Sequence, residues 1–430
     1  MDKIIINGGN KLKGQVKISG SKNAALPIMA ASILTDQNVF INNVADLKDI
    51  RTMIDLLKDL GMQVNKNEQG INIKRSEEEK HEASYDLVSK MRASICVLGP
   101  LLGRFKKAKV SFPGGCVIGP RPIDLHLKAF EQMGVDIKIE HGFIEADASN
   151  LKGAELILKT KFGSSVLATA NVMMAATLAK GKTIIHYAAK EPEIVDLTQF
   201  LRKMGANIKG EGTSVIEIEG VDELKGAGHS VIPDRIEAGS YLLAGVITNG
   251  EIELLNVEKD HLKSLIFTLK EIGQAIELLD NRIKIKGNRD NIKPANIITS
   301  PYPGFPTDMQ AQMMAVLCFS KGTSIIKESI YPDRFTHISE LNRMGANITF
   351  ESGKAFVHGV KNLSGANVMA SDLRASAALV LAGLSAQGQT EISRIYHLDR
   401  GYEKMEEKLS NLGADIFRVQ KEIEIPETIS

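Results

Sequence analysis

A chain of 430 residues exceeds the roughly 250 to 300 at which a single hydrophobic core stops growing, so two domains are expected. With 43% apolar and 24% charged residues it can bury large cores, which excludes wholesale disorder and a coiled-coil rod. Lys and Arg number 53 against 52 Asp and Glu, and a net charge of +1 excludes a protein that coats nucleic acid or an anionic membrane; any anion site must be local.

Taken in chain order, Met1 to Gly9 carries no signal-peptide hydrophobic region, and no run of about 18 apolar residues follows, so a cytoplasmic protein is expected. A pattern then recurs six times. In each copy an Ala- and Leu-rich helical stretch leads through a β-favouring segment to an amphipathic helix, a helix-stop glycine and an extended alternating segment. The apolar helices are predicted over 23–34, 92–102, 165–179, 236–248, 309–319 and 373–386. The stop glycines are Gly61, Gly134, Gly205, Gly273, Gly345 and Gly413, spaced 73, 71, 68, 72 and 68 residues apart. Each should take the left-handed conformation that ends a helix before the chain turns into a strand such as Asn347-Ile348-Thr349-Phe350. Helices apolar around most of their circumference should be buried, with the strands covering them as outer sheets. Turn residues near Ile232-Pro233-Asp234 divide the six units three and three. An open α/β sheet is the alternative architecture.

The repeats act as an internal ruler. From the end of the apolar helix to the stop glycine, the later units span 23 to 25 residues and the second spans 31. Its excess falls in the glycine-rich segment from Ser111 to Pro122, with Cys116 at the centre, and loops longer than the structural minimum are commonly lids or binding loops. Cys96 and Cys318 sit on apolar helical faces and read as core residues. Cys116 has Arg121 five residues away, and a cationic neighbourhood makes a thiol chemically useful; the alternative is an incidental surface thiol. Basic residues recur at helix starts: Lys22, Arg92, Arg235 and Arg374 before apolar helices, and Arg121, Arg334 and Arg400 before amphipathic ones. A cation is locally unfavourable at a helix N-terminus unless an anion is bound there, so the set points to a phosphate or carboxylate site. Asp308 breaks the trend, either as an ordinary N-cap or as a general base facing a cationic site. No metal-ligand spacing of His, Cys or Asp is present, and the glycine-rich loop lacks a P-loop ending.

Seven motifs then carry a likeness over nearly the whole chain: Ser21-Lys22-Asn23-Ala24, Met91-Arg92-Ala93-Ser94, Pro113-Gly114-Gly115-Cys116 with Arg121-Pro122-Ile123-Asp124-Leu125, Glu191-Pro192-Glu193-Ile194-Val195-Asp196, Phe305-Pro306-Thr307-Asp308-Met309-Gln310, Asp372-Leu373-Arg374-Ala375-Ser376 and His397-Leu398-Asp399-Arg400-Gly401-Tyr402. The sequence resembles the enolpyruvyl transferases that act on UDP-N-acetylglucosamine at the first committed step of peptidoglycan synthesis. The resemblance implies a two-domain inside-out α/β barrel of six βαβαββ repeats, three per domain. Residues 21–232 would form the domain carrying the cysteine loop and 1–20 plus 233–430 the second, with the active site between them and two chain crossings rather than the single boundary inferred above.

It further implies phosphoenolpyruvate and the UDP-sugar as substrates, with no cofactor and no metal. The catalytic residues would be Cys116, Asp308, Lys22 and Arg400. Cys116 would protonate C3 and be the target of fosfomycin, while Asp308 would accept the hydroxyl proton. Phosphoenolpyruvate would meet Lys22, Asn23, Arg121, Arg334, Arg374 and Arg400. The UDP-sugar would meet Asn23, Arg92, Arg121, Pro122, Ile123, Asp124, Leu125, Asp308 and Ile330. One departure stands near the uridine-side positions Ser165 and Val166, where Leu167 replaces a glycine of the family pattern. The shikimate-pathway enolpyruvyl transferase, which lacks the Pro-Gly-Gly-Cys loop, and a non-catalytic anion-binding relative are the alternatives.

Overall fold

The computed structural model describes residues 2–76, 80–113 and 123–420. Cys116, Arg121 and Pro122 lie outside the described residues. Six apolar helical segments form the interior. They are Lys22–Ala31 continued by the 3-10 turn Ser32–Leu34, the 3-10 turn Arg92–Val97 leading into Leu98–Phe105, Val166–Ala176, Arg235–Ile247, Gln310–Leu317 entered through the 3-10 turn Thr307–Met309, and Leu373–Ser385. Every residue from Ile236 to Ile247 and from Arg374 to Ser385 is buried, as expected for helices apolar on all sides. Close approach needs small residues. A Cβ on Gly99 would lie 2.1 Å from the Asn171 carbonyl oxygen, and the Asn171 side chain pins this contact by accepting the Gly99 N–H at 2.6 Å and donating to Ile95 O at 2.7 Å.

The amphipathic helices Lys48–Asp59, Asp124–Gln132, Pro192–Lys203, Lys263–Glu271, His337–Arg343 and Met405–Asn411 each end two residues before a stop glycine. All six of those glycines adopt positive φ, between 84° and 106°.

Among the described residues six four-stranded sheets cover the helices, and each contains one parallel and two antiparallel pairings. Alternating burial along strands such as Thr323–Lys327 turns one face onto the helices and the other to solvent. Each half closes on itself. Gly228–Ser230 returns to pair with Val39–Asn42, while the N-terminal strands Lys3–Asn7 and Lys13–Lys17 complete sheets with Gln389–Ser393 and Glu251–Leu255. The result is a two-domain inside-out α/β barrel of six repeats. Two hydrophobic cores follow, one running from Ala24 to Val231 and the other built from Ile4 to Ile18 and Ile236 to Ile416.

The chain passes between the cores twice, and the two passages pair antiparallel: Ser21 N–H donates to Ile232 O at 2.8 Å and Asp234 N–H to Ser19 O at 2.9 Å. Between them Gly20 lies so close to Asn43 that a Cβ would sit 1.6 Å from its carbonyl oxygen. Among the described residues no helix is long and apolar enough to cross a membrane.

Candidate active site

Two carboxylates, each held by two cations, organise the facing surfaces of the halves. The first is Asp308, in the 3-10 turn Thr307–Met309. Its side chain caps nothing; Oδ1 accepts from Arg334 Nη1 at 2.8 Å and Oδ2 from Arg374 Nη2 at 2.7 Å. Both arginine side chains are nearly buried, at 6% and 4% exposed, whereas Asp308 is 26% exposed and so faces the cleft. Arg374 is aimed by the start of its helix, where Asp372 Oδ1 caps the N–H groups of Arg374 and Ala375 at 2.8 and 3.1 Å. Arg334 is steadied by Thr307 Oγ1 at 3.0 Å, and Thr307 in turn donates to Glu328 at 2.9 Å. Burial alone would raise the carboxyl pKa of Asp308, but Arg374 and Arg334 override it and hold the group well below the usual carboxylate range.

Asp49 is the second, at the start of the helix Lys48–Asp59. Its Oδ2 accepts from Lys22 Nζ and its Oδ1 from Arg400 Nε, both at 2.9 Å. Here too burial pushes upward, and Lys22 and Arg400 push the carboxyl below its ordinary value. Lys22 begins the first buried helix, whose N-cap Ser21 accepts from Ala24 N–H at 3.4 Å. Lys22 and Asp49 belong to the first half and Arg400 to the second, so this cluster spans the cleft. The two clusters are linked: Tyr402, two residues beyond Arg400, has its hydroxyl 3.5 Å from Arg374 Nη1 and 2.7 Å from Ser240 Oγ.

Four cations expected at the site, Lys22, Arg400, Arg334 and Arg374, thus gather around two carboxylates, one of which is the expected Asp308. Asn23 follows Lys22 and is half-buried. Ile123 is buried ahead of the helix that Asp124 opens, with Asp124 exposed and Leu125 packed against the first core. Arg92 opens its 3-10 turn and acts on His126, which burial and that charge push down to about 3, so the buried imidazole is neutral. Ile330 is half-buried and its N–H is held by Glu328 Oε1 at 2.8 Å. Ser165 caps the helix Val166–Ala176, and Leu167 packs half-buried against the first core.

Arg235 departs from the pattern of helix-start cations. Its guanidinium is spent on Glu193, with Nε at 2.9 Å, and lies over the Tyr302 ring, so the anion that its position called for is a protein carboxylate. Sequence reasoning missed Asp49 and Glu328. An acid in the first turn of a helix is ordinary, so nothing marked Asp49 out. Glu328 is buried and accepts from Thr299, Thr307, Ile330 and Tyr331, which ties the Asp308 turn to the Ile330 loop.

Two self-closing barrels joined by two chain crossings are the fold of the enolpyruvyl transferases. The chain belongs to this family: the profile described as EPSP synthase (3-phosphoshikimate 1-carboxyvinyltransferase) matches residues 6–409. It is 55% identical to the UDP-N-acetylglucosamine 1-carboxyvinyltransferase of Geotalea uraniireducens and 53% identical to that of Geobacter metallireducens, in each case over 421 residues that cover 98% of this chain and 100% of the relative. Among solved structures, the enolpyruvyl transferase NikO from Streptomyces tendae matches with a TM-score of 0.88 at 22% identity, covering 97% of this chain and 98% of that one. An EPSP synthase from Acinetobacter baumannii matches with a TM-score of 0.76 at 18% identity, covering 98% and 100%. These two likenesses establish the fold.

Proposed function

We propose that this enzyme transfers the enolpyruvyl group of phosphoenolpyruvate to the 3-hydroxyl of UDP-N-acetylglucosamine and releases phosphate, the first committed step of peptidoglycan synthesis, in the cytoplasm. The observation that carries the reading is the 55% identity, over 98% of this chain and 100% of the relative, to a protein named for that reaction. Residues 21–232 form one domain and 1–20 plus 233–430 the other, with the substrates between them.

In the addition step the sugar O3–H bond breaks, O3 bonds to C2 of phosphoenolpyruvate, and C3 gains a proton. In the elimination C3 gives up a proton and the C2–O bond to phosphate breaks. Asp308 takes the hydroxyl proton, and Cys116 supplies the proton to C3. Lys22, Arg121 and Arg400 hold the phosphate, with Arg334 and Arg374 at the phosphate or carboxylate end and Asn23 beside them. Asn23, Arg92, Arg121 to Leu125, Asp308 and Ile330 meet the UDP-sugar. Preorganised cations stabilise charge that develops on both anionic ends of the transition state.

The guanidinium groups that keep Asp308 ionised also weaken it as a base. A substrate anion that draws on the same guanidinium groups restores its basicity as the reactants meet. Cys116 must be protonated when it acts, so the bound anions also offset the cations around it. The decisive test is phosphate release by purified protein. Release is expected only when phosphoenolpyruvate and UDP-N-acetylglucosamine are both present, with loss on Cys116→Ala and on fosfomycin treatment. Because the family profile is described for 3-phosphoshikimate, that acceptor is the control, and release with it alone would replace this reading.

A further inference from the structure

The three segments that supply the cleft-spanning cluster share a second junction, three residues away from the first in each case. Lys22 lies three residues after Ser19, Asp49 three after Asp46, and Arg400 three before Glu403. Glu403 joins the other two: its Oε2 accepts the Ser19 hydroxyl at 2.6 Å and its Oε1 accepts the Asp46 backbone N–H at 2.6 Å. Ser19 is in turn fixed on the second half. Its N–H donates to Glu237 Oε2 at 2.7 Å, its Oγ accepts from Lys408 Nζ at 2.7 Å, and Lys408 pairs with Glu237 Oε1 at 2.6 Å. A cavity of about 300 Å³ lined by Ser19, Gly20, Ala45, Gly70, Glu403 and Lys408 lies beside the junction.

We propose that Glu403 is a positioning residue, which brings Lys22 and Arg400 into register around Asp49 by bridging the crossing strand, the first half and the second half. Carboxylate acceptors suit the task because both of their oxygens can be engaged at once, here by a hydroxyl and a peptide N–H on different segments. Glu403 touches neither reacting group. It acts through the spacing of Lys22 and Arg400, and small misplacements of such groups are costly to catalysis. The inference rests on the phosphate-holding role given above to these two cations.

The test is steady-state phosphate release by the full chain, with scattering measurements on the unliganded protein. Glu403→Ala is expected to raise KM for phosphoenolpyruvate about tenfold while KM for the UDP-sugar stays within about twofold. Glu403→Gln retains an acceptor for the Asp46 N–H and a polar contact to Ser19, and should recover most of the loss. Ser19→Ala should raise the same KM by a smaller factor, and the Ser19→Ala/Glu403→Ala pair should be no worse than Glu403→Ala alone. Should Glu403→Ala fail to fold, Glu403→Gln and Ser19→Ala carry the test, with a selective rise in the phosphoenolpyruvate KM still required of Ser19→Ala. A parallel rise in both KM values, an unchanged KM for phosphoenolpyruvate, additive losses, or a Gln variant as impaired as the Ala variant would overturn the proposal. If the unaltered protein releases no phosphate with the substrate pair, the functional reading fails instead. The radius of gyration then decides the positioning role on its own, since it must increase in Glu403→Ala and return with Glu403→Gln.

Discussion

The two carboxylate clusters use the same parts in different places. Asp308, Arg334 and Arg374 all belong to the second half, so their geometry is set by one packed core. Asp49 and Lys22 belong to the first half and Arg400 to the second, so that geometry exists only while the halves stand in this relation. The difference separates two tasks that a single cluster could not perform independently. The cluster within one half is preorganised, which suits the proton transfer proposed for Asp308. If Lys22 and Arg400 hold the phosphate as proposed, the cluster across the cleft would couple anion binding to the juxtaposition of the halves, because an anion that satisfies both cations favours the arrangement in which both are near Asp49.

Breaking the preorganised cluster should have the largest effect. Asp308→Asn keeps the shape and hydrogen-bond acceptance toward one arginine but removes the proton acceptor, and a positioned acid or base is worth about 100-fold to 10,000-fold. A loss of that size in kcat is expected, with little change in the radius of gyration of the unliganded protein. Asp49→Asn leaves Lys22 and Arg400 without their shared charge and should cost about 10-fold to 100-fold in kcat/KM for phosphoenolpyruvate, with the unliganded protein measurably more extended. If both variants lose activity in kcat alone and neither expands, the division of labour between the clusters is wrong.

Much of this arrangement was legible in the sequence because glycine and alanine are constrained by backbone geometry. Gly61, Gly134, Gly205, Gly273, Gly345 and Gly413 mark helix ends that only a left-handed residue fits comfortably, and the apolar helices between them admit one reading, the interior. Pairings between units were not legible. Repeat equivalence grouped Arg235 with the anion-binding cations, yet its partner Glu193 comes from the preceding unit, and periodicity is silent on which units face each other. Asp308 was ambiguous for a related reason: a carboxylate at a helix start reads as a cap until two arginines from 26 and 66 residues away turn it outward. Asp49 carried no signal at all, since an acid in a first helical turn needs no further explanation.

A milder comparison sets one core against the other. Cys96 lies in the first and Cys318 in the second, both fully buried, and burial pushes each thiol up to about 12, so neither ionises near neutrality. Replacing either with alanine should cost about 1 to 2 kcal/mol of stability by chemical denaturation and leave turnover unchanged. Cys318→Ala should be slightly the more costly, because that thiol also donates to Met314 O at 3.3 Å. Loss of turnover in either variant, at a temperature where it remains folded, would show that the cores are not simply scaffolds.

Glu237 extends the comparison to a third carboxylate, this one fully buried, and the number of its cations reverses the outcome. Asp49 and Asp308 each meet two cations and are driven below their ordinary values, whereas Glu237 meets Lys408 alone, burial prevails, and its carboxyl is raised to about 7. A native pKa above the unfolded value of 4.5 means that the folded state holds a proton which the unfolded state has already released between those limits. Stability from this group is therefore fully present below about pH 4.5 and is lost as pH rises through about 7, by up to about 3 kcal/mol. Glu237→Gln removes the titration, so the stability advantage of the unaltered protein over the variant should shrink by up to that amount between pH 4.5 and 7 in urea unfolding. A gap that stays constant, or widens as pH rises, would mean that one ammonium group is enough to keep a buried carboxylate ionised at the crossing between the halves.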